Sequence, residues 1–303
     1  MKRILGLILV NVVLIVIFSI TTPHFLGKSN LIVLVDNMAL EVIILSGYTL
    51  LLVGGNFDLS VDGIVALSGV SAGLMMNSGV HWVIAIITAL AIGGFIGLFN
   101  GVIVTKVGVN GLIATLTTWW ICLGITFGTT RALAPYGFPD AFQWFGQAKL
   151  LGFRTIFIYA IVASIGLSII LHFTKLGSHL YLSGDNRQAA EMMGINTTNL
   201  GIAMYLLVGL LAGLVGILMT SKLNAASPMA VDGMALRIIA ASVIGGANLS
   251  GGKGSIISGI LGLLLMAILS NAIIQLGISP YFQKGVLGGI LLIAVLLEKI
   301  RRK

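Results

Sequence analysis

Charge is what this sequence has least of. Of its 303 residues, 9% are charged and 58% are apolar or aromatic, and the mean hydropathy is +1.11. Soluble domains carry about 25% charged residues, so the composition excludes a soluble domain of this size and fits a chain that presents most of its side chains to lipid. Cysteine is nearly absent too. The single Cys122 lies in the apolar run TTWWICLGITFG, which excludes an intramolecular disulfide and reads as a buried thiol. The four histidines, His24, His81, His172 and His179, stand apart without metal-ligand spacing, and no serine or cysteine has an evident base nearby in sequence. A membrane enzyme therefore lacks its residues. No linker, low-complexity tract or charge run divides the chain, so residues 1–303 read as a single membrane domain.

What is present is a series of apolar segments, near 4–22, 31–53, 63–77, 82–105, 111–130, 154–173, 199–220, 236–250, 255–276 and 283–298. The fold class is all-α, a polytopic helical membrane protein with about ten transmembrane segments. Lys2 and Arg3 precede the first apolar stretch, but no small-residue cleavage site follows it, so it reads as an uncleaved helix. An even count places both termini on one side. The basic ends, Lys2-Arg3 and Lys299 with Arg301 to Lys303, make that side the cytoplasm by the positive-inside rule, and Lys106, Lys175, Arg187 and Lys253 agree. Arg131, Lys149 and Arg154 fall on the other side. Topology thus accounts for the net charge of +8 without a nucleic acid.

Glycine totals 40. In lipid, small residues let helix backbones approach closely, and glycine clusters break helices where backbone lines a pathway. Packing is the ordinary role for most of them. Two stretches suggest the second: GGNFDLSVDGIVALSG from Gly54 and GGANLSGGKGSIISG from Gly245 align with small gaps. Each has a Gly-Gly pair (Gly54 and Gly55, Gly245 and Gly246), a polar residue (Asp58 or Asn248), Leu-Ser, then a glycine opening a new apolar run. Beyond each lies an asparagine in an apolar segment, Asn100 and Asn271. The pattern predicts two related halves in the same orientation.

Leu249-Ser250-Gly251-Gly252 also imitates the signature of ABC-type ATPases, and Gly252-Lys253 the end of a phosphate-binding loop. That loop needs G-x-x-x-x-G-K followed by Ser or Thr. Here Lys253 is followed by Gly254, Ala247 stands where the first glycine belongs, and no soluble stretch could house an ATPase domain. The match is accidental.

GGNFDLS, GGANLSGGKG and, between them, GDNRQAAEMMGI together resemble the sugar-type permease family of bacterial ABC importers, in matching order over most of the chain. The resemblance implies a transmembrane subunit in the bacterial inner membrane that works by alternating access. It also implies partners: a second permease subunit, identical or not, two ATPase subunits, an extracytoplasmic solute-binding protein and the surrounding membrane lipid. Cofactors are then none in this chain, with ATP and Mg on the partner ATPase.

The longest polar stretch on the expected cytoplasmic side is 174–198. Ser183, Asp185 or Asn186 can cap a helix there, Arg187 and Glu191 stand four apart, and Gly194 can end it in a left-handed cap. Such a short helix is marginal alone in water, which favours docking on a partner. By the family pattern it is the ATPase-coupling element, with Asp185, Asn186, Arg187, Ala190, Glu191 and Gly194 as its residues and Ala189, Ala190 and Gly194 as a small face for close approach.

For the substrate pathway the candidates are Asp58, Asn100, Asn248 and Asn271. Asp58 falls in a membrane segment and must find donors or water; the amides of a broken helix could satisfy it structurally, or it could act directly on the pathway. The asparagines suit a hydroxylated solute and equally tie helices together. The helix-break glycines are Gly54, Gly55, Gly245, Gly246, Gly251 and Gly252. Asp36 and Glu41 in the second segment would serve as a relay in the alternative reading, a proton-coupled carrier or facilitator. The loop Arg131 to Lys149 reads as an aromatic belt at the lipid interface that could also meet a binding protein. Asn56, Phe57 and Asp62 depart from the family's first motif, Arg237 stands where ribose-type members commonly carry an acid, and Cys122-Leu123-Gly124 replaces a common arginine. These departures weaken assignment to ribose itself.

Overall fold

A computed structural model of the chain describes residues 2–150, 153–229 and 233–279, with Phe282, Gly285, Gly288 and Gly289 beyond them. In chain order its helices are α1 (Lys2–Thr21), α2 (Lys28–Val53), α3 (Val61–Asn77), α4 (Trp82–Gly101), α5 (Gly111–Thr130), α6 (Asp140–Gln147), α7 (Thr155–Phe173), α8 (Lys175–Asp185), α9 (Arg187–Met192), α10 (Thr197–Leu223), α11 (Met234–Gly245) and α12 (Ile256–Gln275). Helix α4 runs on through a π-helical turn, Val102–Val107, that ends at the left-handed Gly108. Two-residue strands β1 (Lys149–Leu150) and β2 (Phe153–Arg154) pair antiparallel ahead of α7.

Apart from that short strand pair the described residues are helical or in turns and loops, and the protein is an all-α, multi-pass membrane protein. Seven described helices are long and apolar enough to cross a membrane, namely α1, α2, α4 with its π turn, α5, α7, α10 and α12. The expected segments 63–77 and 236–250 form the shorter α3, with 17 residues, and α11, with 12. At 1.5 Å per residue α11 rises about 18 Å, roughly half a bilayer's hydrocarbon core. The expected segment 283–298 lies outside the described residues apart from Gly285, Gly288 and Gly289, and the basic residues after it lie outside them entirely.

Helix α10 is central, packing against α2, α3, α4 and α6. Glycine allows this: Gly93 and Gly97 of α4 meet Gly209 and Gly213 of α10 backbone to backbone, and a Cβ on Gly97 would lie 3.1 Å from the Cα of Gly209. Gly216 of α10 makes a similar approach to Gly69 and Val65 of α3. These glycines serve packing, the role that small residues take between helices in lipid. Helix α2 changes character along its length. Every residue from Val42 to Val53 is buried, whereas Leu31, Ile32 and Val33 near its start are exposed, so its second half is surrounded by protein. Its largest inward side chain, Tyr48, lies with Tyr205 of α10 in the same apolar core.

The loop after α5 folds back on the α10 terminus. Asn224 caps α10 in a left-handed conformation, its Oδ1 accepts from Phe138 N at 2.9 Å, and Ser221 Oγ accepts from Gly146 N at 2.8 Å. Phe138 and Phe142 are buried edge to face, while Leu133, Tyr136 and Trp144 stay exposed. The expected belt of aromatics is thus split between a packed and an outward set.

Candidate functional site

The first break follows α2. Helix α2 ends at Gly54, and Gly55 takes a φ of +76°. The chain from Asn56 to Ser60 then turns back along α2 and is held by side chains. Tyr48 Oη donates to the Asp58 carbonyl at 2.8 Å and accepts from Asp58 N at 3.0 Å. Tyr205 Oη donates to the Phe57 carbonyl at 2.7 Å, and Thr115 Oγ1 accepts from Leu59 N at 2.9 Å. Asp58 is wholly buried; its Oδ1 accepts from Ser60 N at 2.7 Å and Ser60 Oγ at 2.6 Å, while its Oδ2 is buried with no hydrogen-bond partner among the described residues. Ser60 Oγ accepts from Asn100 Nδ2 at 2.8 Å, and Asn100 Oδ1 accepts from Thr118 Oγ1 at 2.7 Å. Asp58 and Asn100 thus belong to one chain of hydrogen bonds that joins α3, α4 and α5.

The second break follows α11 and is made almost entirely of backbone. Gly246 ends α11 in a left-handed conformation, and Gly245 packs against Ser258 and Gly259 of α12. Asn248 Oδ1 accepts from Ser250 N at 3.3 Å, and its own backbone bonds Lys253 and Gly251. Asn271 lies at the other end of α12, exchanging hydrogen bonds with Asn30 of α2 at 2.9 and 2.7 Å. The four pathway candidates are therefore not gathered: Asp58 and Asn100 share a network, Asn248 shapes the other break, and Asn271 ties two helices.

The two breaks touch each other. Gly252 N donates to the Val53 carbonyl at 2.9 Å, and a Cβ on Gly251 would lie 2.8 Å from the Cα of Gly55 and 2.7 Å from that of Gly184. Gly251 and Gly252 have φ values of +91° and +71°, so both conformation and space demand glycine there. Gly184, near the end of α8, is packed against Val53, Gly251 and Gly252 at once, and Tyr181 Oη donates to the Gly254 carbonyl at 2.8 Å. Three regions distant in sequence meet at this glycine cluster. Gly184 opens the GDNRQAAEMMGI motif, but the motif read alone does not show that its glycine packs against two distant helix breaks.

That polar stretch holds two helices rather than the single short one that its capping residues suggest. The extra helix, α8, is capped by Thr174. In α9, Asn186 Oδ1 accepts from Ala189 N at 3.0 Å, and Gly194 closes the turn with a φ of +83°. Arg187 Nε donates to Glu191 Oε1 at 3.0 Å, and Thr197 Oγ1 donates to the same oxygen. The Thr197 hydroxyl, followed by the Arg187 guanidinium, holds the Glu191 carboxyl below the ordinary range. Ala190 is 1% exposed, so its methyl packs into its own chain, while Met192, at 89%, and Met193 point outward. Asp185, Asn186, Arg187, Ala189, Glu191 and Gly194 are exposed. The outward methionines escape a reading that looks for small residues; Met-Met at the end of a capped helix was the available signal.

A second polar zone lies along α2. Arg154 pairs with Asp36 at 3.1 Å, Lys222 Nζ donates to Asn37 Oδ1 at 2.8 Å, and Arg237 pairs with Glu41 at 2.8 Å. Both acids considered for a relay are thus held by arginines. Asp62, in the first turn of α3, caps α11: its carboxylate accepts from Gly233 N at 2.8 Å and Ala235 N at 2.7 Å. At the other end of α11, Arg3 Nη2 donates to the carbonyls of Val243 and Ile244 at 3.1 and 3.2 Å. An anion at the start and a cation at the end complement the helix dipole.

The sequence matches the family model described as branched-chain amino acid transport system / permease component over residues 31–295. It is 38% identical to the ribose import permease protein of Escherichia coli over 292 residues, covering 94% of this chain and 90% of the relative. The ribose import permease protein of Bacillus subtilis is 38% identical over 289 residues, 95% of this chain and 90% of the relative. The D-allose transport system permease protein of Escherichia coli is 31% identical over 300 residues, 98% and 92% of the two chains. No solved structure matches.

Proposed function

Since the chain belongs to this family of transport-system permease components, we propose that it is the transmembrane subunit of an ATP-driven importer for a monosaccharide or related small polar solute. It sits in the bacterial inner membrane with both termini in the cytoplasm, as one permease domain. It pairs with a second permease subunit, receives solute from an extracytoplasmic binding protein, and couples through 174–198 to two ATPase subunits that carry ATP and Mg. The names of its relatives, import permeases for ribose and D-allose, support the solute class.

The observation that carries this reading is the glycine cluster. Gly184 and Asp185 join the exposed α9 to both helix breaks, so a pull on α9 is delivered directly to the end of α2 and to the loop that joins α11 to α12. Met192 and Met193 provide an adaptable apolar docking knob, while Asn186, Arg187, Glu191 and Gly194 hold the helix that presents it. In alternating access, ATP-driven movement of these elements changes the side on which the cavity opens. Both glycine motifs form a helix, a break and a helix, and the breaks meet at one end, which supports reading them as related halves. Asp58 and Asn100 then keep the first break rigid, and Asn248 and Asn271 position the second break and α12 beside the pathway.

The test is purification of the tagged chain with its native partners, comparing wild type with Met192→Glu. An ATPase subunit that is retained by wild type and lost from the variant, with the chain's own yield unchanged, supports coupling through α9. A stable chain that brings down no ATPase in either form points instead to a carrier without an ATPase partner.

A further inference from the structure

The ion pair between Glu41 and Arg237 lies where a structural salt bridge is hardest to justify. Glu41 is the fourteenth of the 26 residues of α2, at the midpoint of a helix that rises about 39 Å. Charges at that depth are expensive and mark pathways more often than packing. Arg237 stands one turn from the start of α11, a half-length helix whose N-terminus therefore opens at the same depth. Discontinuous helices that begin in mid-membrane are a recurrent way of building solute sites. Glu41 keeps 13% of its side chain exposed and Arg237 keeps 30%. Neither is sealed into the core as Asp58 is.

The pair is also incomplete as a salt bridge. Arg237 Nε and Nη2 both converge on Glu41 Oε1, at 2.9 and 2.8 Å, rather than spreading over the two carboxylate oxygens in the fork that a structural pair favours. One helical turn away on α2, Asn37 stands exposed with Lys222 against its carbonyl oxygen. Asn37, Glu41, Lys222 and Arg237 thus present a carboxylate, an amide and two cations on one strip between α2, α10 and α11.

We propose that this strip, which runs from Glu41 and Arg237 at mid-membrane to Lys222 in the last turn of α10, is a solute-binding site selective for a hydroxyl-rich ring, with Glu41 and Arg237 as its specificity-determining residues. A carboxylate accepts from a pair of adjacent hydroxyls, and the guanidinium and ammonium donate to hydroxyl or ring oxygens. A site built around such donors and acceptors rejects analogues that lack a hydroxyl, because its own polar groups are then left unpaired. The proposal rests on the importer reading above.

Two measurements decide it. Cys122 is buried and is the only cysteine, so a Cys122→Ser chain carrying Asn37→Cys can be probed with a charged methanethiosulfonate added to spheroplasts. Asn37→Cys is expected to react, and Ile43→Cys, on the buried side of α2, to stay inert. In the complete transporter, uptake of labelled D-ribose, D-allose and L-arabinose is then compared for wild type, Glu41→Gln, Arg237→Gln and the exchange Glu41→Arg with Arg237→Glu. Each single variant is expected to lose roughly 10- to 100-fold in uptake, the worth of a hydrogen bond to a charged group. The exchange is expected to leave uptake low, with retention of the ATPase subunits showing that the chain is folded. Full recovery of uptake by the exchange would mean that the pair only joins α2 to α11, and an unreactive Asn37→Cys would mean that no aqueous pathway reaches it; either overturns the proposal. A wild-type transporter that takes up none of the three sugars overturns the monosaccharide reading, while the thiol labelling still judges whether the strip faces water.

Discussion

The two helix breaks solve one problem by different means. After α2, the returning chain is fixed by Tyr48, Tyr205, Thr115 and the relay from Asp58 through Ser60 and Asn100 to Thr118. After α11, one exposed asparagine turn and three left-handed glycines do the work. Side-chain hydrogen bonds hold a single geometry, whereas close-packed glycines set a distance and leave direction less constrained. The first break is therefore the anchor and the second the joint, and α8 is seated on both.

That contrast is best attacked at the point shared by the two breaks. Gly184→Leu places a side chain against Val53, Gly251 and Gly252 and is expected to destabilise the chain by about 3 kcal/mol, the upper end for an overpacked core, measured by unfolding in SDS. Asp58→Leu comes next. Its loss leaves Ser60 N and Oγ without their buried acceptor, a cost of about 2–3 kcal/mol in the same assay. Asn248→Ala removes one 3.3 Å bond in the other break and is expected to cost only about 0.5 kcal/mol. If Asn248→Ala proved as damaging as Asp58→Leu, the division into anchor and joint would fail.

The smallest expected effect is a pH dependence outside the membrane. Glu191 is held below its ordinary value by the Thr197 hydroxyl and then by Arg187. A depressed carboxyl pKa contributes stability that is fully present above the unfolded value of about 4.3 and lost as pH falls through the lower folded value. Retention of the ATPase partner should therefore be flat from about pH 8 to 6 as far as Glu191 is concerned, and Glu191→Gln should weaken it equally across that range. A loss that set in near neutrality would place the sensitive group elsewhere.

Much of this architecture is legible in the sequence because hydropathy and capping are local. The long spans follow from apolar runs, and α9 from Asn186, the spacing of Arg187 and Glu191, and Gly194. What was not legible depends on distant backbone. Gly184 gains its role only when residues 53–55 and 251–252 arrive beside it, a meeting that its place at the head of GDNRQAAEMMGI does not announce. Asp62 reads as an extra acid at a helix break, yet it caps a helix that starts 172 positions later. Ala190 reads as part of an open small face because spacing shows which residues share a face but not which face the rest of the chain covers. Asp58 and Asn100 share a network that their positions in sequence, in different apolar segments, do not announce.

The two clasps on α11 have a consequence for how the protein is made. A 12-residue helix is too short to be inserted as a spanning segment on its own hydrophobicity, and the groups that hold its two ends, Asp62 and Arg3, belong to the first 62 residues. Synthesis runs from the N-terminus, so both are in place before α11 leaves the ribosome. The early helices thus act as a template on which the final third is received, and a truncation or bulky fusion at Arg3 would be felt in biogenesis, at a helix more than two hundred residues away.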